Sequence, residues 1–272
     1  MLYERVYLDE SDDRVYIDAY VADYREVLRD AMLVIPGGGY RNVCTDREGE
    51  PIALGFLAQG MNCFVLNYRV GKDGDVYPKQ LIDASRAILH IRANAKKYCI
   101  DPKRVFAVGF SAGGHLAGSL ALLSSDRAVL DTLGINDGDN RPDGVVLAYP
   151  VVSIQIPDTN IPTFQNLTGK TVDQLTDEEK YKYSLEHHVK PCSPPAFIWH
   201  TAEDQLVSAQ GSLALAGAYL SAGAKVMLNI YPYGPHGLAL SNKYTLMDKN
   251  TAFIQPLADG WIELAKKFFD TI

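Results

Sequence analysis

The sequence predicts an α/β protein: a mostly parallel sheet of roughly eight strands, helices on both faces, and a small cap insertion. Three observations carry this. Short apolar runs alternate with helical patterns along most of the chain, and strand–helix–strand repeats build parallel sheets through right-handed crossovers. Most of the runs are continuously apolar, as strands covered on both faces require. At 272 residues, 47% hydrophobic and 22% charged, the chain can bury a large core without disulfides or metals.

The elements follow in order. "ERVYLDE" and "DRVYIDAYVA" alternate, with Val15, Ile17, Ala19 and Val21 on one face, and read as an antiparallel pair with one solvated side. "AMLVIP" is a buried strand. "REGEPIALGFLAQG" reads as a helix with Gly60 as its stop, and "NCFVLNY" is the next buried strand. "PKQLIDASRAILHIRANA" is a helix whose stripe holds Leu81, Ile82, Ser85, Ile88 and Leu89. The rhythm repeats: strands at "RVFAVG", "GVVLAYP", "PPAFIWHT" and "KVMLNIYP", helices at "AGGHLAGSLALL" and "SAQGSLALAGAYLSAG". "PLADGWIELAKKFFD" closes the chain as an amphipathic helix.

Residues 151–193 break the rhythm. They carry several prolines, a charged stretch "TDEEKYKYSLEHH" and no clean strand or core signature. A segment of that length inside a compact domain reads as a lid or binding insertion. The chain is therefore expected to form one domain, 1–272, with a cap-like insertion at about 151–193.

A net charge of −7 argues against nucleic acid or an anionic membrane as partner. Cys44, Cys63, Cys99 and Cys192 are scattered with no C-x-x-C pair, so small buried hydrophobes are expected rather than a metal site or a disulfide framework. "MLYERVYLDESDD" has no apolar signal-peptide core, and no run reaches membrane-spanning length. The expected compartment is the cytoplasm.

The chemistry concentrates at "VFAVGFSAGGHLAGSL". A buried strand runs into a helix, and Ser111 sits at the turn with Gly109 and Gly113 two residues to either side. A nucleophile elbow needs this G-x-S-x-G spacing, because side chains at the flanking positions would clash at so sharp a turn. The helix from Ala112 aims free N–H groups at the same point. Serine needs a base, and the base an orienting acid. Two later strands each end at a candidate: "FIWHTAEDQLVS" supplies Asp204, with Glu203 beside it, and "IYPYGPHGLAL" supplies His236. A third strand ends in "VIPGGGYRN", whose glycines let backbone N–H groups approach a developing oxyanion. This loop lacks the lysine and the spacing of a phosphate cradle. His200 reads as a satisfied core histidine, His115 as packing under the elbow, His90 as lying on a helix side, and His187 with His188 as a solvated or cap-packing pair.

"PGGGY", "NYRV", "GFSAGGHLA", "WHTAEDQLV" and "GPHGLAL" together resemble the α/β-hydrolase esterase–lipase superfamily. Within it the chain is most similar to small bacterial acetyl esterases, including acetylxylan-esterase-like proteins and the bifunctional feruloyl and acetyl esterases. The resemblance runs from about Val6 to the last helix. Pro36 stands where hormone-sensitive-lipase-like relatives carry a histidine before the glycines, which moves the chain toward the sugar-ester branch. The resemblance implies a triad of Ser111, Asp204 and His236, with Asp204 preferred over Glu203. It also implies an oxyanion hole lined by Gly38, Gly39 and Ala112, and it puts Tyr40 beside that hole, where it would contact a sugar or leaving group or else serve the structure. The implied activity is hydrolysis of short-chain carboxylic esters through an acyl-enzyme, with acetylated sugars or xylo-oligosaccharides as substrates and no metal or cofactor. A prolyl-oligopeptidase-like peptidase and a non-catalytic receptor on the same fold are the alternative readings. Phe164, Tyr181 and Tyr183 of the cap would either stack on sugar rings or pack the cap.

Overall fold

The computed structural model describes residues 1–23, 26–156 and 160–272; residues 157–159 of the expected insertion lie outside this set. Eight strands form one sheet: β1 (Leu2–Tyr7), β2 (Tyr16–Val21), β3 (Arg29–Ile35), β4 (Asn62–Asn67), β5 (Ile100–Phe110), β6 (Val145–Ala148), β7 (Ala196–Thr201) and β8 (Val226–Tyr231). Their spatial order is β1-β2-β4-β3-β5-β6-β7-β8. β1 and β2 are antiparallel to their neighbours, and from β4 to β8 all pairing is parallel.

Register follows from burial. In β3, Ala31, Leu33 and Ile35 point into one core, while Met32 and Val34 point into the other. The first core is closed by α3 (Lys79–Ala93), α5 (Ala112–Leu122) and α9 (Gln210–Ser221), and the second by α2 (Glu50–Ala58) and α10 (Trp261–Phe269). β5 lies between β3 and β6, with both faces covered, and Ile35 pairs with Gly109. The parallel strands therefore bring their carboxyl ends, and the loops leaving them, to one edge of the sheet.

The structure departs from the sequence reading at four places. The single helix expected after the glycine loop is two, α1 (Thr45–Glu48) and α2, because Gly49 leaves helical angles and Pro51 restarts the helix in its first turn. The closing helix begins at Trp261 rather than near Pro256, since Gly260 stands in the left-handed region with φ 92°. A further helix, α6 (Arg127–Leu133), has Asp126 accepting from the Ala128 N–H at its start and a left-handed Gly134 at its end. Residues 151–193 hold α7 (Ile161–Thr168) and α8 (Asp177–Lys182). They also supply buried apolar side chains, Val151, Val152, Phe164, Leu167 and Leu185, to the main core. The expectation of no core signature there is corrected: the apolar residues are spread over turns too short to show a period. The short α4 (Ala95–Tyr98) precedes β5. Among the described residues, no helix is long and apolar enough to cross a membrane.

Candidate active site

Ser111 occupies the one-residue turn between β5 and α5 with φ 54° and ψ −118°, a conformation L-residues avoid. The turn is held by backbone on both sides: the Ser111 N–H donates to the Ala148 carbonyl at 3.0 Å, and its carbonyl accepts from His115 at 3.1 Å. The two glycines are required by contact. A Cβ on Gly109 would lie 2.1 Å from the Gly113 carbonyl oxygen, and one on Gly113 would lie 2.2 Å from that of Ile35.

The loop after β8 brings His236 Nε2 to 2.8 Å from Ser111 Oγ. The turn after β7 brings Asp204 Oδ2 to 2.6 Å from His236 Nδ1. An ionised carboxylate only accepts, so the imidazole proton lies on Nδ1 and Nε2 presents a lone pair to the hydroxyl. Asp204 is buried, which by itself raises its pKa. Hydrogen bonds from His200 and His236, and from the Val207 N–H, outweigh this and hold the carboxyl well below its usual range. His200 is the buried, satisfied histidine expected. Its Nδ1 accepts from the Ser212 hydroxyl at 2.8 Å, and its Nε2–H is shared between Asp204 Oδ2 at 3.1 Å and the Val207 carbonyl at 2.9 Å. Asp204 thus carries two imidazoles on one oxygen. Glu203 faces elsewhere and accepts the Gly234 N–H at 3.0 Å.

These groups open on a cavity of about 240 Å³ walled by Gly38, Gly39, Cys44, Arg47, Glu48, Asn160, Thr163 and Leu206. Gly38 (φ 126°) and Gly39 (φ 64°) follow β3, the neighbour of β5. Among the described residues neither glycine N–H has a partner within the protein. Ala112 is fully buried and offers only its backbone, as the first residue of α5 with no intrahelical acceptor for its N–H. This set of donors, nucleophile and base can take an acyl group and stabilise the oxyanion formed. A larger open depression of about 610 Å³ lies at the opposite edge of the sheet, beside Arg29 and Arg104, and holds no such arrangement. Among the described residues, no group of three His, Cys, Asp or Glu side chains is placed to hold a metal ion.

Several expectations change. Tyr40 does not wall the cavity: its ring is 1% exposed and its hydroxyl donates to His115 Nδ1 at 2.9 Å, which places it as a floor beneath the glycine loop. His115 is neutral there, its Nε2–H donating to the Tyr183 carbonyl at 3.0 Å, and burial pushes its pKa down to about 4. Phe164 and Tyr183 are buried in the core, and Tyr181 is stacked on His187, so none of the three walls the cavity. Of the cysteines only Cys63 is fully buried; Cys192 is exposed and Cys44 lies on the cavity wall. Sequence reading missed Arg47, Glu48, Asn160 and Thr163. The short α1 hides the first two, and the N-cap signature of α7, in which Asn160 accepts the Thr163 N–H, marks the others.

Residues 17–219 match the BD-FAE family. The chain is 42% identical over 219 residues to endo-1,4-beta-xylanase B of Butyrivibrio fibrisolvens, covering 80% of this chain and 34% of that protein. It is 29% identical over 228 residues to an acetylxylan esterase of Xylanibacter ruminicola, covering 80% of this chain and 43% of that one. The chain therefore spans less than half the length of these two relatives. An acetyl ester-xyloside bifunctional hydrolase from Caldicellulosiruptor lactoaceticus superposes with a TM-score of 0.81 at 31% identity, over 98% of this chain and 96% of that one.

Proposed function

The chain belongs to the BD-FAE family, and from that premise we propose that it hydrolyses short-chain carboxylic esters, with acetyl esters of sugars or xylo-oligosaccharides as the substrate class. One observation carries the reading: the unbroken relay from Ser111 Oγ through His236 to Asp204, opening on the cavity beside the glycine loop. In this reading Ser111 attacks the ester carbonyl while His236 Nε2 takes its proton. The oxyanion is met by the N–H groups of Gly38 or Gly39 and of Ala112. The alcohol departs with the proton from His236, leaving an acyl-enzyme. Water, deprotonated by the same imidazole, then attacks the acyl carbonyl; the bond to Ser111 Oγ breaks as Oγ takes the proton back from His236, and the acid leaves. Asp204 stays ionised throughout and stabilises the imidazolium.

A cavity of about 240 Å³ supports a short acyl group, since pockets for drug-sized ligands start at roughly 300 Å³. The sugar alcohol is supported by the names of the similar proteins, an acetylxylan esterase and an acetyl ester-xyloside hydrolase. The xylanase activity named in another relative is not carried over. Glycoside hydrolysis needs two carboxyl groups flanking the bond, and both carboxylates of this site, Asp204 and Glu48, are committed to internal hydrogen bonds. We read residues 1–272 as one domain and 151–193 as a cap that shapes the cavity wall through Asn160 and Thr163. The proposed compartment is the cytoplasm. The test is kcat/KM for p-nitrophenyl acetate, butyrate and octanoate, followed by mass spectrometry of acetylated xylo-oligosaccharides. Acetate should lead octanoate by about tenfold or more, with loss of acetyl mass from the sugars. An optimum at octanoate would overturn the assignment.

A further inference from the structure

Glu48 and Tyr149 lie between the two loops that must meet at Ser111, and no step above uses them. Glu48 ends α1 and is 2% exposed. Its two oxygens serve different segments. Oε2 accepts the Gly37 N–H, at the head of the glycine loop, at 2.8 Å, and Oε1 accepts the Tyr149 hydroxyl at 2.9 Å. The Tyr149 oxygen accepts in turn from the Ala239 N–H at 3.0 Å, in the loop that carries His236. The Tyr149 ring stands edge-on to His236, with centroids 5.0 Å apart. Arg47, the preceding residue of α1, donates to the Gly237 carbonyl at 2.9 Å. A buried carboxylate must fill its acceptor sites or pay heavily for desolvation. Here they are filled by the two loops flanking the nucleophile.

We propose that Glu48 and Tyr149 are positioning residues that tie the glycine loop to the histidine loop and keep the oxyanion donors and the imidazole in one register about Ser111. The proposal rests on the ester-hydrolase reading of the site. Neither residue touches the reacting atoms. Their work is geometric, and a displacement of about 1 Å at such a site can cost about 100-fold in rate. Glu48→Gln keeps an acceptor for the Gly37 N–H but turns an NH2 group, which only donates, toward Tyr149, so the Tyr149 hydroxyl must give up its donor role and re-aim or lose the contact. Tyr149→Phe keeps the ring and removes both hydroxyl contacts.

The experiment measures p-nitrophenyl acetate kinetics, the rate at which a fluorophosphonate labels Ser111, and Tm, for the parent, both single variants and the double. Each single should lose about 10–100-fold in kcat with KM within about threefold. Labelling should slow in proportion. The double should lose no more than the worse single, because one bridge is cut twice. If kcat in the singles stays within about threefold while Tm falls, the pair only fills space and the proposal is wrong. Losses that multiply in the double would overturn it as well. Should Glu48→Gln fail to fold, Tyr149→Phe decides by the same threshold. A parent that labels but does not hydrolyse esters counts against the functional reading, and the labelling ratios then test the bridge.

Discussion

The elbow of Ser111 and the loop of His236 reach the same point by different means. Ser111 leaves the centre of the sheet, its peptide groups bound to Ala148 and His115 and its neighbours shaved to glycine. His236 follows β8, the edge strand, in a stretch from 232 to 260 with no strand or α-helix. That stretch is fixed by side chains from elsewhere. Thr201 Oγ1 donates to the Gly234 carbonyl at 2.8 Å, Trp261 Nε1 donates to the Ala239 carbonyl at 2.8 Å, and Arg47 and Tyr149 hold Gly237 and Ala239. Ala239 and Ser241 keep positive φ values of 51° and 62° under these ties, strain that an untethered loop would release. Ser111 is placed by backbone and His236 by side chains, so damage to each should read out differently.

The largest effects break the relay that joins the two regions. Ser111→Ala and His236→Ala should each lower kcat on p-nitrophenyl acetate by about 10⁴-fold or more, with Tm nearly unchanged. Asp204→Asn should cost about 10³–10⁴-fold, since an amide cannot stabilise the imidazolium and favours the wrong tautomer. Glu203→Gln should cost less than about tenfold, because Glu203 steadies only Gly234. If Glu203→Gln proved the slower enzyme, the acid would have been misassigned.

The contrast sharpens when stability and rate are measured together. In Gly113→Ala the added methyl meets the Ile35 and Pro36 carbonyl oxygens at 2.2 and 2.4 Å, and urea unfolding should show a loss of about 3 kcal/mol or more. Thr201→Val removes one tie of the histidine loop. It should cost about 1 kcal/mol while lowering kcat by roughly three- to tenfold. A native urea midpoint for Gly113→Ala would mean that backbone packing does not set the elbow.

The smallest predicted effect concerns acid. His115, under the glycine loop, titrates near 4 when folded and 6.5 in its ordinary state. The unfolded chain therefore binds the extra proton first. Stability is full above about pH 6.5 and falls as pH drops toward 4, by at most about 3 kcal/mol from this group. Burial also holds His90 and His188 below their ordinary value, so His115→Gln should flatten the curve without abolishing its slope. Asp204 acts in a lower window. Its carboxyl is depressed, so its contribution is present above about pH 3.9 and is lost only in stronger acid. An unchanged slope in His115→Gln would show that this histidine is not held neutral in the folded protein.

The elbow was legible because its requirements are local. Two glycines at fixed spacing, an apolar run before and a small-residue helix after express one backbone turn, and all lie within the segment from Val105 to Leu120. Asp204 and His236 were legible for a related reason: parallel strands deliver their carboxyl ends to one edge, so polar residues just beyond separate strands are brought together by topology alone. Tyr40 and Phe164 were not, since an aromatic next to a loop looks the same in sequence whether it faces a cavity or the core. His200 was read as buried, yet that its partner is Asp204 depended on the turn after β7 folding back on its own strand.

What the sequence alone determined is the order of the strands, the strained position of Ser111 and the edge of the sheet where chemistry can occur, because these follow from periodicity, glycine spacing and crossover handedness within short stretches of chain. The tertiary structure alone decided which oxygen meets which N–H around that serine. Glu48 finds Gly37 11 residues away and Tyr149 101 residues away. A buried carboxylate takes whatever donors the packed loops bring to it, and no local pattern in the chain records those partners.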